Sequence, residues 1–252
     1  MLKACTLTGV DEKTSFDWIR SVSGDYPFAE FAVLYSMTPD DKDDRYPTRA
    51  FIDSFADAME GSAVRTALHI CGRAVAAFVA GDEDVRTLAA RFGRVQINFN
   101  ASRAPFTVEE LAQAIAAVGH PVITQHFPSN AVVSAFVTAS NHHVLFDASG
   151  GNGRRGEGWP DRVSGKYMGY AGGFGPETIA LDTMGAELHA RGEDYWIDME
   201  SRIRTDGWLD PEKCLAVLDR VEPWTKVPTP KEISVLQYDA DGMLNGVLSF
   251  GS

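Results

Sequence analysis

Asp147 closes a short apolar run, Val144-Leu145-Phe146, and a glycine-dense stretch follows it, Ser149-Gly-Gly-Asn-Gly-Arg-Arg-Gly-Glu-Gly158. A carboxyl at the end of a buried run can have its pKa raised by desolvation and hold a proton at neutral pH, as a general acid must. The competing assignment is a carboxylate that caps the glycine loop by accepting backbone N–H bonds. A second short run, at 168–171, ends in Gly172-Gly173 ahead of Phe174-Gly-Pro-Glu177. Such a pair lets backbone N–H groups approach an anion, and a helix expected to open at Pro176 would add its positive end. A tight strand-to-helix turn would use the same two glycines.

Other chemistry-bearing residues end other apolar runs. Side chains alternate along a strand, so residues two apart share a face. The phase that points Asp147 into a site offers Thr8, His69 and Cys71, Gln96 and Asn98, and Asp198 and Glu200. On the fifth run the choice between Gln125 and His126 stays open. His69 and Cys71 could supply a base or nucleophile, although a Cys at a strand end also serves as a small core residue. Arg45 follows an acidic stretch (Asp40, Asp41, Asp43, Asp44) and could grip a substrate carboxylate with two parallel bonds or pair with those neighbours. His142 and His143 begin their run, at the opposite end from Asp147, and are assigned a structural role.

Positioning these residues requires a repeating framework. Candidate strands lie at 3–8, 30–36, 65–71, 94–99, 122–127, 143–147, 168–171 and 195–199, with candidate helices at 48–59, 107–118, 177–189 and 210–218 among the intervening segments. Thr107 with Glu110 forms a capping-box pattern, and Asp210-Pro211 an N-cap followed by Pro at the first helical position. Eight strands alternating with helices imply a parallel α/β fold, and eight is the number that closes a TIM (β/α)8 barrel. An open doubly wound sheet is the alternative. In a barrel, active groups gather at the carboxyl ends of the strands, and the loops after strands seven and eight commonly bind phosphate.

Residues 1–223 form the expected barrel domain. The segment 224–252 departs from the pattern: Val227-Pro-Thr-Pro230 is a stiff linker, and two apolar runs flank Asp239-Ala-Asp-Gly242. It is expected to form a C-terminal β-hairpin extension that packs on the barrel or contacts another copy of the chain.

The 252 residues carry 23 basic and 35 acidic side chains, a formal charge of −12, which argues against a nucleic-acid surface. A phosphorylated ligand remains compatible, because a local Arg or a helix amino terminus binds phosphate on an acidic protein. Cys5, Cys71 and Cys214 are odd in number and widely spaced, so neither a disulfide framework nor a zinc cluster is indicated. No membrane span or signal peptide is read, and a cytoplasmic protein is expected.

The strand-end pattern resembles phosphoribosylanthranilate isomerase, a (β/α)8 enzyme of tryptophan biosynthesis. Phe31-Ala-Val-Leu-Tyr-Ser36 with Arg45-Tyr46 is similar to that family's second strand and carboxylate-binding Arg, and Val95-Gln96-Ile97 to its fourth strand. Val144-Leu-Phe-Asp147 with Gly150, Gly151 and Gly153 is similar to the strand carrying its general acid. Ala171-Gly-Gly-Phe-Gly-Pro-Glu177 is similar to its phosphate turn, and Trp196-Ile-Asp198-Met-Glu-Ser201 occupies the place of its last strand. The resemblance implies an Amadori-type aldose–ketose isomerisation of a phosphorylated aminoaldose, without cofactor or metal. It implies Asp147 as general acid, Arg45 on a carboxylate, Gly172 and Gly173 on the phosphate, and Gln96 in the site.

The sequence departs from that family where the chemistry lies. Thr8-Gly9 stands where the family has Cys-Gly, whose Cys is the general base, and a threonine hydroxyl cannot replace a thiolate without an activating partner. Cys71 is the candidate for a relocated base, since alternation turns Cys5 towards the helices. Glu200-Ser201-Arg202 replaces a small phosphate loop, so Ser201 and Arg202, or Arg204, become the candidate phosphate contacts; Asn98 stands where the family commonly has His. Two other readings accompany the isomerase. One is a diverged metal-dependent barrel enzyme using His69, His126, Asp147, Asp198 and Glu200 as mixed ligands. The other is a ligand-binding protein that has lost the catalysis.

Overall fold

Eight apolar runs rich in β-branched and aromatic residues form strands β1 (Leu2–Thr8), β2 (Ala29–Ser36), β3 (Arg65–Cys71), β4 (Arg94–Asn98), β5 (Val122–His126), β6 (His142–Asp147), β7 (Met168–Ala171) and β8 (Tyr195–Met199). In the computed structural model each strand pairs in parallel with the next, and β8 returns to β1 to close a TIM barrel. The structure describes residues 1–37, 45–147, 159–160 and 162–226, and the strand backbones at 234–238 and 244–249. The acidic residues Asp40, Asp41, Asp43 and Asp44, the glycine stretch with Gly150, Gly151 and Gly153, and the 227–230 linker lie outside the described residues.

Helices α1 (Phe16–Asp25), α2 (Arg49–Met59), α3 (Arg73–Ala80), α4 (Glu83–Ala90), α5 (Val108–Ala116), α6 (Ala131–Phe136), α7 (Ile179–Ala190) and α8 (Pro211–Val221) surround the barrel. Ser15, Thr48, Asp82, Thr107 and Asp210 cap five of them by accepting backbone N–H bonds, and Thr107 with Glu110 completes the capping box. The seventh helix starts later than the sequence suggests. Gly175 O accepts from both Thr178 N and Ile179 N, so Pro176 lies in a preceding turn and the first helical residue is Ile179.

Helices are not spread one per strand. Both α3 and α4 lie between β3 and β4, whereas among the described residues none joins β6 to β7. Trp159 fills the outer face there. It stacks on Phe174 at 5.3 Å, meets Tyr170 edge-on at 5.3 Å, and lies so close to α7 that a Cβ on Gly185 would stand 2.5 Å from its Nε1.

Inside the barrel, Ala4, Ile123, Leu145, Ala171 and Trp196 form an apolar layer. Gly169 makes room for it, because a Cβ there would fall 2.1 Å from Trp196 Cε2. Towards the amino ends of the strands, Arg94 sits 4.6 Å over the Trp196 ring and pairs with Glu30, which also accepts from Thr6. Burial opposes the Glu30 charge, but Arg94 and Thr6 outweigh it and hold the carboxyl below its ordinary range. Cys5 belongs to the outer core beneath the helices, the direction that alternation predicts.

A short antiparallel ribbon, β9 (Arg204–Thr205) with β10 (Trp208–Leu209), precedes α8. After it a 3-10 turn, Glu222–Thr225, brings Trp224 against the core. Strands β11 (Ser234–Tyr238) and β12 (Leu244–Ser249) pair antiparallel as the C-terminal hairpin. Where the hairpin packs lies outside the described residues.

Candidate active site

At the carboxyl ends of the strands a cavity of about 500 Å³ opens above the apolar layer. Its walls include Thr8, Arg45, His69, Gln96, Asn98, Gln125, Asp147, Gly172, Gly173, Asp198, Glu200, Ser201 and Arg204, with Leu145 and Ala171 beneath. Most residues selected from the sequence therefore meet in one place, but Cys71 and Arg202 are not among the lining residues. Asn98 Nδ2 covers Cys71 Sγ at 3.4 Å, and burial raises the thiol's pKa despite hydrogen bonds from Asn98 and Tyr46. A protonated thiol behind an amide is a poor base, which counts against the relocated-thiolate idea. The Arg202 side chain lies against Gly175.

Strand register sets the spacing of the two central carboxyls. Asp147 pairs with Ala171, and Ala171 pairs with Asp198, so both stand at one height with a single small residue between them. Two strand spacings put their backbones roughly 10 Å apart, enough for a small ligand to lie between the side chains. Gln125 resolves the choice on β5: its Nε2 donates to Asp147 Oδ2 at 3.3 Å. His126 turns away and lies 2.8 Å from Ser134 Oγ on α6.

Asp198 has the more unusual environment. It is 5% exposed, and burial raises its pKa to about 8, with Glu30 and Glu200 contributing and the Thr8 hydrogen bond opposing. Thr8 Oγ1 donates to Asp198 Oδ1 at 2.7 Å. His69 Nε2 lies 3.7 Å from Asp198 Oδ2, but burial lowers the histidine pKa to about 3. That contact therefore joins neutral groups at neutral pH and is not an ion pair. Alternation puts Asp198 on the inward face without marking it as a base; the Thr8 partner is what distinguishes it, and it comes from a strand 190 residues away.

The acidic stretch before Arg45 lies outside the described residues, whereas Arg45 itself is in contact with Glu200. Its Nε and a terminal nitrogen donate to the two Glu200 oxygens at 2.7 and 2.9 Å, a bidentate bridge across the mouth. Arg204 acts as a latch: it donates to Gly9 O at 3.0 Å and to Gly207 O, and lies 3.6 Å from the Asp11 carboxylate. Gly9 has φ of +110°, and a Cβ there would meet Arg204, so glycine is required after Thr8. Gly172 and Gly173, with φ of +117° and +80°, turn the chain at the end of β7 beside Ser201 in the same cavity. Among the described residues no group of three or more His, Cys, Asp or Glu side chains is placed to hold a metal ion, so the metal-dependent reading gains no support.

The fold and the site at its strand ends define a TIM barrel with a polar pocket at the face where such barrels carry catalytic groups. Similar solved structures include phosphoribosylanthranilate isomerase from Thermotoga maritima, at 14% identity over 88% of this chain and 99% of that one, with a TM-score of 0.59. The corresponding isomerase from Pyrococcus furiosus matches at 11% identity over 87% and 98%, TM-score 0.53. A DAHP synthase from Thermotoga maritima matches at 9% identity over 89% and 69%, TM-score 0.56. At these identities the likeness is one of fold. No protein-family profile matches the chain, and no curated protein sequence matches it. Among the described residues no helix is long and apolar enough to cross a membrane.

Proposed function

We propose that the protein catalyses an Amadori-type aldose–ketose isomerisation of a small phosphorylated aminoaldose in the cytoplasm, with Asp147 as general acid and Asp198 as general base. The observation that carries this reading is the pairing of those two carboxyls, level with each other on either side of Ala171 in one cavity. Asp147 protonates the ring oxygen as the C1–O bond breaks. Asp198 takes the C2 proton to give an enolamine; a proton is then returned at C1 while the C2 hydroxyl gives up its own, which restores both carboxyls and leaves the aminoketose. Only the ionised fraction of Asp198 acts as base, a fraction that grows as pH rises towards its pKa of about 8, and once ionised it binds a proton far more strongly than an ordinary carboxylate. Gly172, Gly173 and Ser201 bind the phosphate; Gln96 and Asn98 face the sugar.

Arg45 takes a substrate carboxylate only when Glu200 releases it. That bridge favours a second reading, a ligand-binding protein without turnover. Loss of phosphoribosylanthranilate fluorescence on incubation with purified protein separates the two. Turnover that falls at least about a hundredfold in both Asp147→Asn and Asp198→Asn supports the isomerase. Binding without turnover in the unmodified protein supports the second reading, and turnover retained in Asp147→Asn removes the assigned acid.

A further inference from the structure

His69 stands in the wall of the candidate active site, 2% exposed on β3 and level with Gln96 on β4. Its two ring nitrogens have different neighbours. Nδ1 lies 3.5 Å from Gln96 Nε2, which also donates to Asn98 Oδ1 at 3.0 Å. Asn98 in turn donates from Nδ2 to Cys71 Sγ at 3.4 Å. The Gln96 amide nitrogen thus has a second hydrogen to give, and Nδ1 is the lone pair that receives it. Turning both amides over would leave Asn98 Oδ1 with only a weak S–H donor. Burial keeps the imidazole neutral, so its one proton sits on Nε2. Among the described residues Nε2 has no hydrogen-bond partner, and Asp198 Oδ2 is 3.7 Å away, too far for a bond. The other carboxyl oxygen accepts from Thr8.

We propose that His69 is a positioning residue for Asp198: its Nε2–H closes onto Oδ2 when the carboxyl ionises and withdraws when the proton returns. A closure of under about 1 Å makes the bond. Thr8 and His69 then hold one oxygen each, which fixes the plane of the carboxylate, and the neutral ring adds no charge to the site. Burial keeps Asp198 protonated up to about pH 8, so the gap between Nε2 and Oδ2 is that of two neutral groups. Glu30 and Arg94, on the amino side, and Glu200, just beyond β8, also act on Asp198. Burial opposes the charges of Glu30 and Arg94, but their pairing holds Glu30 below and Arg94 above its ordinary range. Neither changes charge near pH 8. The effect of His69 on turnover rests on the isomerase reading; the pairing with Asp198 does not.

Nitrogen-15 NMR of the full chain, labelled at histidine, reads the ring directly, the His69 signals being those lost in His69→Gln. The proton is expected on Nε2, with an Nε2 signal that shifts with a midpoint at about pH 8 and no longer does so in Asp198→Asn. A proton on Nδ1, or an Nε2 signal indifferent to Asp198, overturns the proposal whether or not the protein turns over substrate. In the rate assay His69→Leu should move the alkaline-rising limb of kcat up by roughly one unit, with KM within about twofold. His69→Gln, which keeps a neutral N–H, should return the limb towards its place. An unmoved limb in His69→Leu overturns the positioning role; if that variant does not fold, the NMR titration decides. The expected shift in a protein without turnover supports the pairing and removes the isomerase reading alone.

Discussion

The Thr8 hydroxyl donates to Asp198 Oδ1 at 2.7 Å across the seam where the first strand meets the last. That bond stabilises the ionised form of a carboxyl that burial pushes towards neutrality. Thr8 thus positions and tunes Asp198. Thr8→Val keeps the shape and removes the donor, so the Asp198 pKa should rise further above about 8. If Asp198 is the base, the alkaline-rising limb of the pH–rate profile moves up by roughly one unit, while Thr8→Ser leaves it in place. An unmoved limb in Thr8→Val would detach Thr8 from the chemistry.

Asp198 also makes stability depend on pH, with a sign opposite to that of a salt-bridged carboxylate. Below about pH 4 both folded and unfolded chains hold this proton, and the group costs nothing. Between 3.8 and about 8 the unfolded chain has released a proton that the folded chain retains, so stability falls as pH rises, and the full cost is present above about 8. Asp198→Asn removes the ionisation and can still accept from Thr8. Its thermal midpoint should match the parent at pH 4 and exceed it by an amount worth a few kcal/mol at pH 8. Thermal melts across that range check this, and a gap independent of pH would contradict it.

The Arg45–Glu200 bridge closes part of the mouth with a cation that a carboxylate ligand would need. Glu200→Gln removes the competing charge and leaves a neutral neighbour. Anthranilate, followed by its own fluorescence, should then bind about tenfold more tightly, and Arg45→Ala should lose the gain when combined with it. Equal affinity in the parent and Glu200→Gln would mean that Arg45 does not receive the carboxylate.

Gly169 tests the apolar layer beneath the site. The Trp196 ring is fully buried and lies where an alanine methyl would project. Gly169→Ala should cost about 1–3 kcal/mol in denaturant unfolding. Adding Trp196→Phe, which shortens the ring system, should recover part of the loss; no recovery would place the strain elsewhere.

The strand framework was legible because each run is buried on both sides, giving near-continuous apolar sequence ended by polar residues. Alternation puts His69, Gln96, Asn98 and Asp198 on faces that line the cavity, whereas Cys71, taken with His69, does not line it. Two residues back from Gln96 the same alternation reaches Arg94, the inward-facing partner of buried Glu30. The late start of α7 was hidden because Pro176-Glu177 has the composition of a first helical turn while Gly175 O fixes that turn two residues on. Arg45 with Glu200, and Thr8 with Asp198, join residues 155 and 190 apart, and nothing local in a sequence announces such partners.

The Arg204 latch ties the loop after β1, through Gly9 and Asp11, to the loop after β8, through Gly207. These parts leave the ribosome at opposite ends of translation. Until β8 and the latch have emerged, β1 and β7 are open sheet edges that can pair with other chains. Asp198, its threonine partner and the Glu200 half of the mouth bridge all come from that same seam. A chain truncated before residue 195 should therefore lack the site and also be prone to aggregation, so that loss of solubility and loss of ligand binding arise together from one missing closure.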